Sequence, residues 1–179
     1  MSNRYTLRTN GTDTDNDIQT LFSLDLGDPY QNKISFSMQA GGYFDLDGNQ
    51  AGSQFSSIYD TFGNRAVGRF YYGYVDLKDL GPVYKMRAGR QYYHEFESLY
   101  FDGANFETSP EYQIAFKAYG GVPVHLYENG IGSDPGDWLA GAALEWTAVT
   151  KFKARADYVH LKDKVSGFRA GLGDTEDDL

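Results

Sequence analysis

Lys33-Ile34-Ser35-Phe36-Ser37-Met38-Gln39-Ala40-Gly41-Gly42 sets the reading of the whole chain. Ile34, Phe36, Met38 and Ala40 alternate with Lys33, Ser35, Ser37 and Gln39. Successive side chains of a strand point to opposite faces, so a period of two means one apolar and one polar face. Upstream, Ile18, Thr20, Phe22, Leu24 and Leu26 form such a row, and a shorter one sets Tyr5 and Leu7 opposite Arg4, Thr6 and Arg8. Downstream, Phe70, Tyr72 and Tyr74 oppose Arg65, Arg69 and Tyr71. Tyr84, Met86 and Ala88 oppose Lys85 and Arg87, and Ile114, Phe116 and Ala118 oppose Gln113 and Lys117. Trp138, Ala140, Ala142, Leu144 and Trp146 make a further row. Phe152, Ala154, Ala156 and Tyr158 oppose Lys151, Lys153, Arg155 and Asp157, and Phe168 and Ala170 oppose Gly167 and Arg169. Ser98 to Glu107 also reads as a strand, with Leu99, Tyr100, Phe101 and Phe106 spread over both faces.

The pattern predicts an all-β fold: an antiparallel up-and-down meander of about ten strands, most near the ~9–11 residues that cross a bilayer at a tilt. The expected form is a transmembrane β-barrel or part of a larger one. Compact turns at 27–31, 79–82, 108–110 and 148–150 alternate with longer polar connections at 45–63 and 121–136, and a further turn is expected at 162–164. Short periplasmic turns and long outer loops give membrane barrels this rhythm. Residues 1–172 are read as one β-barrel domain and 173–179 as an acidic, loop-like terminus. No apolar leader precedes the first alternating segment, and no aromatic-ended strand closes the chain. The expectation is a stretch of a larger barrel.

Composition narrows the class. No apolar run is long enough for a transmembrane helix, which leaves strands as the means of crossing. The absence of cysteine rules out a disulfide scaffold and a thiolate metal site. A net charge of -9 argues against a nucleic-acid partner. Tyr, with 15 copies, suits both strands and membrane interfaces, because its ring is apolar and its hydroxyl seeks water. Tyr72, Tyr74, Tyr84, Trp138, Trp146 and Tyr158 are expected on the apolar face as interfacial girdles.

Most of the 16 basic residues fall on the polar strand face: Arg4, Arg8, Lys33, Arg65, Arg69, Lys85, Arg87, Lys117, Lys151, Lys153, Arg155 and Arg169. Against lipid each would cost about 2–4 kcal/mol near the midplane, so this parity assigns the polar face to a water-filled lumen. The acids are expected mainly in loops and ends, with Glu145, Asp25 and Asp157 sharing the wall. These twelve residues are therefore the expected pore lining, and the wall is expected to be basic and to favour small anions. Solubility of a hydrated sheet face would produce the same row of cations.

Ala88-Gly89-Arg90-Gln91 and Leu99-Tyr100-Phe101-Asp102-Gly103-Ala104 resemble paired strands of bacterial outer-membrane porins of the substrate-selective and alginate-export-like type. Ser23-Leu24-Asp25-Leu26-Gly27 and Phe44-Asp45-Leu46-Asp47-Gly48 are similar to elements of the same porin-like proteins. The resemblance implies passive diffusion of small solutes across the bacterial outer membrane, through a barrel of more strands than this chain holds. Its expected partners are outer-membrane lipid and small solutes, anions foremost, and association into homo-oligomers is compatible with it. Arg90 breaks parity, since it falls with Tyr84, Met86 and Ala88. A bulge at Gly89 would turn it inward to Asp102 or Glu97, making Arg90 and Asp102 a constriction pair. A surface arginine reaching headgroups fits equally well.

No enzyme is expected, and neither cofactor nor metal. Asp13-Thr14-Asp15-Asn16-Asp17 begins like a calcium loop, but Ile18 stands where Gly is required and Leu24 where Glu should close the site. Asp45-Leu46-Asp47-Gly48 reads as a turn. His94, His125 and His160 lack ligand spacing, and neither a nucleophile elbow nor a phosphate loop is present. Two other readings stand beside the porin. One is a barrel acting as a structural sheath or scaffold, for example around an electron-transfer cytochrome. The other is a soluble lipocalin-like binder with Ile34, Phe36, Phe116 and Trp146 lining an inner cavity.

Overall fold

The structure, a computed structural model, describes residues 1–11, 14–47, 66–94, 98–109, 113–125, 136–149, 152–165 and 175–178. They form β1 (Ser2–Thr9), β2 (Thr14–Leu26), β3 (Ile34–Asp45), β4 (Ala66–Leu80), β5 (Val83–His94), β6 (Ser98–Thr108), β7 (Ile114–Pro123), β8 (Trp138–Val149), β9 (Phe152–Val165) and β10 (Thr175–Asp178). All lie in one antiparallel sheet in chain order, the meander expected from the alternation, and no helix occurs among the described residues. The order is linear. β1 and β10 are its edges, and among the described residues no ladder joins them.

The ends depart from expectation. β9 runs straight through the turn expected at 162–164. Thr175 to Asp178 pairs with Val165 to Lys162, so the acidic terminus is not all loop. The candidate strand around Phe168 and Ala170 lies outside the described residues. All the long connections, 46–65 and 124–137, leave one end of the sheet, although the short 10–13 and 95–97 leave it too.

Register assigns the faces. Ile18, Phe22, Leu24 and Leu26 of β2 stand opposite Phe44, Ala40, Met38 and Phe36 of β3. Phe106 stands opposite Ala118, and Phe116 opposite Leu144, while Trp146 faces Ala154. This apolar face is the open one: Ile34, Phe116, Leu144, Trp146 and Phe152 are all exposed. The polar face is the enclosed one, and Asp15, Ser35, Arg69, Asp76, Gln91, Lys117 and Asp163 are buried on it.

One bulge changes the parity of β4. Gln39 pairs with Tyr72 and Ala40 with Phe70, which leaves Tyr71 as the extra residue. Below it, Tyr72, Tyr74 and Asp76 share the polar face with Arg69, and Val75 and Leu77 turn to the apolar side. Tyr72 and Tyr74 are therefore not girdle residues. Strict alternation through Arg65 to Tyr74 missed this, because one inserted residue swaps every later side chain.

A line of glycines crosses the middle strands. Gly89 stands opposite Gly103, which stands opposite Gly121. A Cβ on Gly89 would collide with the Gly73 carbonyl, one on Gly103 with the Gly120 carbonyl, and one on Gly121 with the Asp102 carbonyl. Gly89 also has φ 126°, which a side chain would strain. Backbones approach this closely where a sheet bends sharply. Next to the line, on the polar side, sits a small core. Phe101 and Gln91 are fully buried, Tyr119 lies across Gly141, and Val124 and Leu139 are buried as well. Among the described residues the buried hydrophobics are Phe101, Ala115, Val124, Leu139 and Ala143.

Candidate functional site

The candidate site is the polar face. Arg4 and Arg8 of β1 stand opposite Gln19 and Asp15. Arg8 pairs with Asp15 and lies 2.9 Å from Asp17. Arg69 is buried, with its guanidinium over the Tyr43 ring at 5.5 Å. Gln19 donates to the Tyr43 hydroxyl, which is itself bonded to the Tyr71 hydroxyl. Arg87 grips Asp76 through Nε at 2.6 Å and Nη2 at 2.8 Å, and its guanidinium stacks 3.8 Å from the centre of the Tyr74 ring. Such a fork is stronger and more directional than a point charge.

Further round, Lys117 lies between Glu107 at 3.6 Å and Glu145 at 4.0 Å, and Lys153 reaches the same Glu145 at 3.6 Å. Arg155 chelates Asp157 on its own strand at 2.7–2.8 Å through Nε. His125 Nε2 meets Asp163 at 2.9 Å, which ties the segment after β7 across β8 to β9. Lys85 stands opposite Glu107 in β6. Lys33, just before β3, is exposed at the strand end and offers its carbonyl to the Lys78 amide. Arg65, Lys151 and Arg169 lie outside the described residues.

The expected basic wall is thus corrected to a mixed one. Asp15, Asp17, Asp45, Asp76, Glu107 and Asp163 stand on it beside Glu145 and Asp157, and most of the cations there are neutralised in place. Sequence reading put Asp15, Asp17 and Asp45 in loops because β2 and β3 were taken as shorter than they are. It could not see Asp76, because the Tyr71 bulge hides its parity. Asp163 was lost to the turn expected there.

Arg90 and Asp102 do pair, with Nε 2.7 Å and Nη2 2.6 Å from the carboxylate, but they are no constriction. The register is unbroken through Gly89, so Arg90 keeps the parity of Ala88 and Tyr92, on the apolar side. Arg90 is only 5% exposed there, and its Nη1 donates to the Phe70 carbonyl at 3.0 Å. Tyr100 donates to the Phe70 and Tyr71 carbonyls. The alternative partner, Glu97, lies outside the described residues.

Two segments that each failed as a metal motif meet in space. Asp15, Asp45 and Asp47 bring carboxylate oxygens within 4.8 Å of one another. Arg8 pairs with Asp15, and the Asn16 amide and side chain donate to Asp47 at 3.0 and 2.9 Å. Slight desolvation of Asp47 is outweighed by these bonds, which hold its carboxyl below the usual range. The cluster is stitched by its own neighbours.

The apolar face carries two aromatic belts. Toward the short turns, Phe106 and Phe116 meet at 5.8 Å and Trp146 and Phe152 at 6.2 Å. Toward the long loops, Tyr92 stacks on Tyr100 at 4.2 Å, and Trp138 meets His160 at 4.6 Å with the rings tilted. Between the belts lie Ala88, Ala104, Ala118, Ala142 and Ala156. Tyr84, Trp138, Trp146 and Tyr158 are on this face as expected. The cavity expected of a lipocalin-like binder does not form, since Ile34, Phe116 and Trp146 are 64%, 38% and 44% exposed. No family model, no curated protein and no solved structure matches this chain.

Proposed function

We propose that this sheet is wall of an outer-membrane β-barrel of the porin type, through which small polar solutes diffuse. The carrying observation is the inverted polarity: large apolar side chains stand open on one face while charges are enclosed on the other. Each Leu, Phe or Ile left in water forgoes roughly 1.5–3 kcal/mol, so a face this apolar must be covered, and hydrocarbon covers all of it at once. Aromatic belts separated by alanines match the two interfaces of a bilayer and the thin band between them. The linear strand order leaves two edges, and edges in lipid must be paired to close a barrel. Further strands or further copies would do this.

The mixed wall supports passage of uncharged and zwitterionic polar solutes as readily as anions. Paired charges such as Arg87 with Asp76 hold water and order it without attracting one sign of ion. The test is reconstitution in liposomes, with swelling in small sugars and amino acids and conductance in planar bilayers. The reading expects solute-size-dependent swelling and weak ion selectivity. A folded, bilayer-inserted chain that gives no swelling would favour the sheath or scaffold instead. A monodisperse monomer without detergent would end both.

A further inference from the structure

Two tyrosines, Tyr72 and Tyr74, stand on the polar face and not in the aromatic belts. Register places Tyr72 in one row with Gln39 of β3 and Ser23 of β2, and Tyr74 in the next row with Ser37 and Asp25. A column of two rings is thus flanked by an amide, two hydroxyls and one carboxylate. The ring centres lie 5.7 Å apart, with the planes tilted by 32°, and neither tyrosine is buried. Gln39 Nε2 donates to Ser23 Oγ at 3.1 Å, and Ser23 and Asp25 are exposed. On its other side Tyr74 stands opposite Gly89, which carries no side chain. The Arg87 guanidinium lies 3.8 Å from the Tyr74 ring centre and is locked there by Asp76. The serines are far shorter than the tyrosines, so the rings rise as a step beside a polar floor.

We propose that this shelf binds a neutral linear oligosaccharide along the tyrosine pair. The inference rests on the reading of the polar face as a hydrated lumen. A pyranose has a face of C–H groups and a rim of hydroxyls. The C–H face is apolar enough to lie against an aromatic ring, and the rim needs polar groups at its side. Gln39, Ser23 and Ser37 each both give and take hydrogen bonds, as a sugar hydroxyl requires. Same-face neighbours on a strand stand about 7 Å apart, so the pair is longer than one sugar ring and suits a chain better than a single unit. Charged ligands fit less well. The Arg87 guanidinium already lies on the Tyr74 ring, where its charge opposes a second cation. Asp25, in the same row, opposes an anion. An apolar solute would leave the amide and hydroxyls without partners.

The probe is a linear trimer of glucose, added to the full chain in micelles of a zwitterionic detergent and followed by saturation-transfer NMR. The shelf predicts saturable binding, transfer strongest to the sugar C–H protons, and glucose itself about tenfold weaker. Tyr72→Ala and Tyr74→Ala should each weaken binding about tenfold, the loss of one aromatic contact. Tyr72→Phe should stay within about twofold, since the ring remains. Gln39→Ala should lose about fivefold, as for one ordinary hydrogen bond. Tyr158→Ala, which removes a ring from the apolar face, should leave the affinity unchanged. The proposal is overturned if the unmodified chain binds no trimer, binds glucose equally well, or prefers tetramethylammonium or acetate. Undiminished binding in both alanine variants overturns it too. Trimer binding by a chain that gives no swelling in liposomes would instead count against the porin reading, so the two failures are distinguishable.

Discussion

Two arginine–aspartate forks sit three residues apart on β5 and do different work. Arg87 with Asp76 faces the polar wall, its guanidinium one-fifth exposed and lying on Tyr74. Arg90 with Asp102 faces the apolar side, its guanidinium almost wholly buried and spent on backbone carbonyls of a neighbouring strand. The chemistry is the same and an odd spacing separates the faces. Inside, the fork is one of several that neutralise a hydrated surface. On the apolar side, it joins Asp102 of β6 to the Phe70 carbonyl of β4 across β5.

The contrast makes ordered predictions, all measurable as shifts in urea unfolding of the chain in detergent micelles. Asp102→Ala should cost the most, about 3–5 kcal/mol, because it strands a buried guanidinium. Asp76→Ala should cost less, about 1–3 kcal/mol, since Arg87 can recruit water on its open side. Equal losses would mean that the two faces do not differ in their access to water. Tyr100→Phe should cost about 1 kcal/mol and speed hydrogen exchange at the top of β4, while leaving exchange in β7 and β8 unchanged. Asp157→Ala should stay within about 1 kcal/mol, because the Arg155 pair is exposed and local to one strand.

The meander and most of its faces were legible because period two is a direct image of the pleat. Phe116, Leu144 and Trp146 fell where alternation put them. What was hidden has two causes, and a break in the period is the first. The inserted Tyr71 moved Tyr72, Tyr74 and Asp76 to the polar face, and no local feature of Phe70-Tyr71-Tyr72-Gly73 announces it. Strand ends were the second loss. β2 begins four residues before Ile18, which carries Asp15 and Asp17 onto the wall, and β9 outlasts its apparent turn to bring in Asp163. The basic wall was a consequence of counting cations by parity while leaving acids in loops. Arg90 was expected to reach Asp102 or Glu97 by turning inward at a bulge at Gly89; the pair with Asp102 forms, but the register runs unbroken through Gly89 and leaves it on the apolar side.

The chain has no cysteine, so single introduced thiols report one position each. Phe116→Cys, Leu144→Cys, Ala115→Cys and Ala143→Cys, each carrying a bimane label in liposomes with brominated acyl chains, would test the central claim directly. The account predicts strong quenching at 116 and 144 with little at 115 and 143. The same quenching at all four positions, or the reverse order, would contradict it.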